Sequence, residues 1–204
     1  MIDYSLYLVT DRGLCLGRNL LDVVAAAVQG GVTLVQLREK NCETREFVEL
    51  ARALKKILAP TGTPLLINDR VDVALACDAE GVHVGQTDML IKDVRALIGP
   101  DKIVGLSVDS EDDIYAACDQ PVNYIGVGPV YPTRTKKTNC LPWGLEGLKK
   151  ARTIWKKPLI AIGSVNHSNA CQVMACNVDG IAVVSALCSA PDVQKAANEL
   201  KALL

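Results

Sequence analysis

Residues 64–88 read PLLINDRVDVALACDAEGVHVGQTD. The apolar run 64–68 (PLLIN) predicts a strand, 71–77 a helix, and 81–84 (GVHV) a second strand. Between helix and strand, Asp78-Ala79-Glu80-Gly81 supplies a tight turn. Strand, helix and strand therefore follow one another with almost no linker, as in a parallel sheet whose strands are buried on both faces.

The same alternation runs outward in both directions. Further strands are predicted at 4–10 (YSLYLVT), 33–38 (TLVQLR), 102–107 (KIVGLS), 123–128 (NYIGVG), 158–162 (PLIAI) and 179–184 (DGIAVV). Helices fill the gaps at 19–29, 44–59, 90–98, 110–119, 144–156, 168–176 and 191–203. In the second helix Phe47, Leu50, Ala51, Leu54, Ile57 and Leu58 recur at helical spacing, one apolar stripe. Ser110 with Asp113, and Thr44, read as helix caps, and Gly30-Gly31 as a turn back into a strand. Eight such units make either a closed barrel or an open doubly wound sheet. An open sheet would carry GxGxxG or GxxxxGK[ST] after a strand, and neither motif occurs. The expected fold is a single-domain (β/α)₈ TIM barrel over residues 1–204, with brief loops because 204 residues are few for eight units.

Composition narrows the partners. Apolar residues make up 50% and aromatics only 4%, so Val, Leu, Ile and Ala must build the core. A net charge of −1 lacks the basic excess of a nucleic-acid binder, so any bound phosphate meets a local site. No apolar run reaches membrane-spanning length. No secretory h-region follows Met1, and the eight cysteines form no CxxC pair. They read as small buried hydrophobes in a reducing cytoplasm, and His83 and His167 lie too far from paired cysteines for a zinc site. The sequence carries no signal for an oligomeric state.

Barrel chemistry sits at the C-terminal ends of the strands, and that is where the unusual polar residues fall. Alternation puts Gln36, Arg38 and Lys40 on one side of an extended chain, two cations and an amide suited to a pyrophosphate and a heterocycle edge. Asn68-Asp69-Arg70 follows the third strand and Gly85-Gln86-Thr87-Asp88 the fourth. Asp69 and Asp88 either share a Mg²⁺ or cap the helices that begin just after them. On spacing alone His83 is better read as a core histidine, and Ser107 as a phosphate donor or a cap. The polar stretch 128–143, holding Thr133, Thr135 and Lys136, is a long loop of the kind used as a lid. Gly163-Ser164-Val165 and Val184-Ser185-Ala186 end the last two strands, where barrels commonly hold a phosphate on backbone amides. Two anion sites emerge: Arg38, Lys40, Lys136 and the aspartates for a Mg²⁺-pyrophosphate, and neutral donors near Gly163 and Ser185 for a monophosphate. Together they suggest group transfer from a diphosphate to a phosphorylated acceptor.

At these residues the chain resembles the thiamine-phosphate synthase family. The matching motifs are LYLVTD (6–11), QLREK (36–40), LLINDRVDVAL (65–75), GVHVGQTD (81–88), GLSV (105–108), GPVYPTRTKK (128–137), IAIGSV (160–165) and DGIAVVSAL (179–187), in family order across almost the whole chain. The resemblance implies condensation of 4-amino-5-hydroxymethyl-2-methylpyrimidine diphosphate with 4-methyl-5-(2-phosphoethyl)thiazole. It implies that Arg38, Lys40, Asn68, Ser107 and Lys136 bind the diphosphate, with Arg38, Lys40, Ser107 and Lys136 carrying the chemistry. It further implies that Asp69 and Asp88 hold Mg²⁺, that Gln36 and His83 face the pyrimidine, and that Thr133, Thr135, Gly163, Val184 and Ser185 position the thiazole phosphate. The partners would be phosphorylated small molecules. Two departures stand out: Ser164 where the family commonly has a second glycine, and the segment 138–143, which matches no family pattern. The Ser164 Cβ would crowd the phosphate, or its hydroxyl would add a donor. The related thiazole tautomerase would need only the thiazole-phosphate site. A non-catalytic binder would keep the contacts without turnover, and other phosphate-binding barrels would need a carboxylate or cysteine acid–base pair. The synthase site requires Asp69 to face Asp88, and Arg38 to share one end of the barrel with Lys136.

Overall fold

The structure is a computed structural model that describes residues 2–133 and 141–204. Eight parallel strands close on themselves in sequence order: β1 (Leu6–Val9), β2 (Leu34–Leu37), β3 (Leu65–Asn68), β4 (Gly81–Val84), β5 (Ile103–Val108), β6 (Tyr124–Val127), β7 (Leu159–Ile162) and β8 (Gly180–Val183). Between them lie α1 (Leu20–Gln29), α2 (Thr44–Leu58), α3 (Val71–Cys77), α4 (Ile91–Ile98), α5 (Glu111–Cys118), α6 (Gly144–Ile154) and α7 (Ala170–Met174), and after β8 come α8 (Ser185–Cys188) and α9 (Val193–Lys201). The expected barrel is present, and each predicted strand and helix has its counterpart, mostly trimmed by a residue or two at the ends. The four-residue α8 begins directly after the end of β8, with its first turn at Ser185.

Alternation along each strand sorts the side chains into two cores. Leu6 and Leu8 of β1 point outward into the layer between strands and helices, with Val35, Leu37, Ile67 and Val84. Tyr7 and Val9 point inward, where they meet Leu34, Leu66, Ile103, Tyr124, Ile160 and Ala182. The helices pack on the outer layer as their stripes dictate: Phe47, Ala51, Leu54 and Leu58 of α2 are all buried.

Local signals fix the helix ends. Ser110 and Asp113 form a reciprocal capping box on α5, an arrangement worth about 1 kcal/mol. Asn19 and Asp192 cap α1 and α9 through their side chains. Thr44 is no cap: Glu43 occupies that position without a side-chain bond, and the Thr44 hydroxyl accepts from Arg70 at 2.9 Å. Gly31 turns the chain into β2 at φ 106°, and Asp78 turns it into β4 at φ 51°.

The cysteines only partly follow the expected burial. Cys15, Cys77, Cys176 and Cys188 are buried, whereas Cys118 and Cys171 are exposed on helix surfaces. Every cysteine among the described residues is a free thiol. No helix among the described residues is long and apolar enough to cross a membrane.

Barrel closure depends on a close backbone approach at Gly180. A Cβ there would lie 1.9 Å from the Tyr4 carbonyl oxygen, beside the β1–β8 register Leu6↔Ile181. Gly180→Ala is therefore expected to lower stability by about 1–3 kcal/mol through overpacking against main chain. Urea unfolding with an unchanged m-value would check it.

Candidate active site

A cavity of about 270 Å³ opens at the C-terminal ends of the strands. Gln36, Arg38 and Lys40 enter it from β2 and the residues beyond, Asn68 and Asp69 from the end of β3, and His83 and Asp88 from β4 and its loop. Ser107 of β5 lines it, as do Thr133, Gly163, Val184 and Ser185. Every expected site residue among the described ones thus reaches a single cavity. Thr135 and Lys136 lie outside the described residues, as does the middle of the expected 128–143 lid, residues 134–140.

The charged groups gather on one side. Lys40 Nζ lies 2.6 Å from Asp69 Oδ2, and Arg38 Nη1 lies 3.4 Å from Asp11 Oδ2. Glu39 pairs instead with Arg12, as alternation requires of the residue between Arg38 and Lys40. Asp69 takes a left-handed backbone, φ 60°, which Asp tolerates better than most residues. Its amide donates to the His83 carbonyl at 2.9 Å.

Neither aspartate caps a helix. The cap positions of α3 and α4 are Arg70 and Leu90, and neither helix start has a side-chain cap bond. Asp88 accepts instead from the Gly85 amide at 2.7 Å and lies close enough to the Asp69 carboxyl for the two to act on each other. Burial lifts the Asp88 carboxyl above the usual carboxylate range; the Gly85 amide opposes the rise, and Asp69 adds to it.

Two facing carboxylates fit Mg²⁺, a hard cation that takes one or two carboxylates and fills its shell with water and phosphate oxygens. No group of three or more His, Cys, Asp or Glu that could hold a metal is present among the described residues, so a cation here would draw its other ligands from substrate or water.

His83 is buried, as the core reading expected, yet it also lines the cavity. Its Nδ1 lies 2.7 Å from the Tyr124 hydroxyl and its Nε2 2.8 Å from Ser107 Oγ. The Tyr124 hydroxyl lies 2.9 Å from that of Tyr7, which accepts from Gln36 Nε2 at 2.5 Å. Tyr7 and Tyr124 were missed in the sequence because an aromatic inside an apolar strand reads as packing. The available signal was parity: they sit at inward positions of β1 and β6, in a chain with five tyrosines.

Opposite the charges, the wall is mostly neutral. Gly163 has φ 107°, and a Cβ there would fall 2.6 Å from Pro129 Cα. Ser164, the departure from the family pattern, adopts the left-handed region at φ 54°, and its hydroxyl donates to the Pro132 carbonyl at 2.7 Å. The hydroxyl is therefore spent on main chain. Residues 130 and 131 are pinned to the end of β7 through Val130 N to Ile162 O and Tyr131 N to Gly163 O, at 2.8 and 3.2 Å.

Fold and cavity together define a (β/α)₈ barrel with cations, facing carboxylates and neutral donors at its catalytic end. Residues 6–187 match the family model described as thiamine monophosphate synthase. The chain is 59% identical over 201 residues to a thiamine-phosphate synthase of Solidesulfovibrio magneticus, covering 98% of this chain and 95% of that one. It is 53% identical over 199 residues to one of Albidiferax ferrireducens, covering 98% and 91%. A solved thiamine phosphate pyrophosphorylase from Pyrococcus furiosus superposes with a TM-score of 0.91 at 40% identity, covering 99% and 96%. This chain belongs to the thiamine monophosphate synthase family.

The raised Asp88 carboxyl has a stability consequence. A carboxyl whose folded pKa exceeds its unfolded value contributes stability below the unfolded pKa, and loses it as pH rises through the folded one. The charge on Asp88, once formed, therefore opposes folding of the ligand-free chain. Asp88→Asn keeps an oxygen for the Gly85 amide and removes one charge, so the ligand-free variant is expected to melt at the same temperature or a few degrees higher. Calorimetry at neutral pH would show it, and a clear drop in Tm would contradict it.

Proposed function

We propose that the chain is a thiamine-phosphate synthase, joining 4-amino-5-hydroxymethyl-2-methylpyrimidine diphosphate to 4-methyl-5-(2-phosphoethyl)thiazole with release of pyrophosphate. The observation that carries this is the division of one cavity: Arg38, Lys40 and the facing Asp69 and Asp88 on one side, Gly163 and Ser185 on the other. A tautomerase acting on the thiazole phosphate alone would have no use for the charged half.

In this reaction the pyrimidine methylene C–O bond breaks and its electron pair leaves with pyrophosphate. The thiazole nitrogen lone pair then forms the new C–N bond. The amino-pyrimidine stabilises its own methylene cation, so no protein nucleophile is needed. Arg38 and Lys40 offset the charge that builds on the leaving group, and act most strongly as that charge develops. Ser107 and Asn68 donate to the same oxygens. Asp69 and Asp88 would hold Mg²⁺, which when bound neutralises diphosphate charge. Gln36 and His83 face the pyrimidine ring. Thr133, Gly163, Val184 and Ser185 hold the thiazole phosphate, the last two largely through main chain, and this fixes the nitrogen near the cation as proximity catalysis requires. Lys136 and Thr135 are assigned to the diphosphate and thiazole phosphate from the family pattern alone.

Mixing the purified chain with both substrates and Mg²⁺ should yield thiamine phosphate, and its absence would overturn the assignment. EDTA should stop the reaction, and excess Mg²⁺ should restore it. Asp88→Ala should lose at least about a hundredfold in turnover; full activity would remove its metal role. Arg38→Ala should raise the KM for the diphosphate by at least about tenfold, the scale of a lost charged hydrogen bond, while the KM for the thiazole phosphate stays unchanged.

A further inference from the structure

Along the cavity wall runs a chain of five polar groups from five different strands: Gln36, Tyr7, Tyr124, His83 and Ser107. We propose that Tyr7 and Tyr124 are positioning residues: a one-way hydrogen-bond chain from the Gln36 amide through both phenols and His83 holds the Ser107 hydroxyl as a donor to the anionic group in the cavity. The last clause rests on the function proposed above; the direction of the chain does not.

Proton counting sets the direction. Gln36 Nε2 can only donate, and it donates to the Tyr7 oxygen at 2.5 Å. Tyr7 is 1% exposed, so its own proton needs an acceptor. The Tyr124 oxygen, 2.9 Å away, supplies it. Tyr124 is fully buried, and having accepted from Tyr7 it must pass its proton to His83 Nδ1 at 2.7 Å. That leaves the ring proton on Nε2, which donates to Ser107 Oγ at 2.8 Å. The Ser107 oxygen is then an acceptor toward His83, and its proton is directed elsewhere, into the cavity that Ser107 lines.

Two features keep the chain intact. Burial holds both phenols above the ordinary tyrosine range, so both stay protonated at neutral pH. Gly105 leaves the space in which the two rings meet: a Cβ there would fall 2.2 Å from Tyr124 Cζ and 2.5 Å from His83 Nδ1. Members of such a chain polarise one another in one sense. Reversing the first bond would reverse all of them and turn the Ser107 proton back toward His83, away from an anion.

The His83 tautomer reports the direction, and it can be read without any substrate. The chain has two histidines, and the exposed His167 serves as internal reference. In the full chain labelled with ¹⁵N-histidine, two-bond ¹H–¹⁵N correlations should show His83 as the Nε2–H tautomer alone. Tyr7→Phe should keep that tautomer, because Tyr124 then has only Nδ1 to donate to. Gln36→Glu at about pH 9, where an ionised carboxylate can only accept, should switch His83 to Nδ1–H across both phenols. An Nδ1–H tautomer in the unsubstituted protein, or an unmoved tautomer in Gln36→Glu, would overturn the proposal.

Tyr124→Phe supplies a second reading should Gln36→Glu fail to fold. It should populate both tautomers and lower kcat by about tenfold, with KM within about twofold. A single tautomer and full kcat would overturn the proposal. If the tautomers behave as stated and no preparation forms thiamine phosphate, the proposed function fails and the direction of the chain stands.

Discussion

The closed parallel ladder allows each strand residue only two destinations, the helix layer or the barrel interior, and everything else in the molecule follows from that division. Outward residues must be apolar because helices cover them. Inward residues near the N-terminal ends must fill space, as Leu34, Leu66 and Ile103 do. Inward residues near the C-terminal ends have neither obligation, because the cavity opens there. The molecule can place polar groups at those positions without the full cost of burial, and it places Gln36, Asn68, His83 and Ser107 there.

The same geometry allows an electrostatic conflict to persist. Asp69 and Asp88 arrive from neighbouring strand ends and meet, and Lys40 pairs with Asp69 while its charge also acts on Asp88. A protein selected for stability alone would separate them. Their retention beside two cations marks a place prepared for something that carries both signs of charge, such as a metal-bound diphosphate. The neutral wall around Gly163 suits an anion held by main chain and small donors.

The fold was legible because period-two and period-3.6 patterns alternate cleanly, with turns at Gly30-Gly31 and Asp78. Which residues line the cavity was legible through the rule that chemistry lies past the strand ends. Three things were not. Whether Asp69 and Asp88 were caps or partners depended on where α3 and α4 begin: Asp69 falls one residue before the cap position of α3 and Asp88 two before that of α4. Thr44 was misread for the same reason. The phenols of Tyr7 and Tyr124 stayed hidden because their polar atoms are a small part of side chains that otherwise pack like core. Ser164 was ambiguous because its hydroxyl could have pointed either way; only the position of the Pro132 carbonyl settles it.

The space left at Gly105 also ties three strands together in their history. The imidazole of β4 and the phenol of β6 occupy the volume that a β5 side chain would otherwise take. No single substitution at position 105 can be absorbed while both rings remain, and losing either ring opens a hole that glycine cannot fill. These three positions are expected to drift only as a set, so among divergent relatives a side chain at 105 should coincide with smaller residues at 83 and 124.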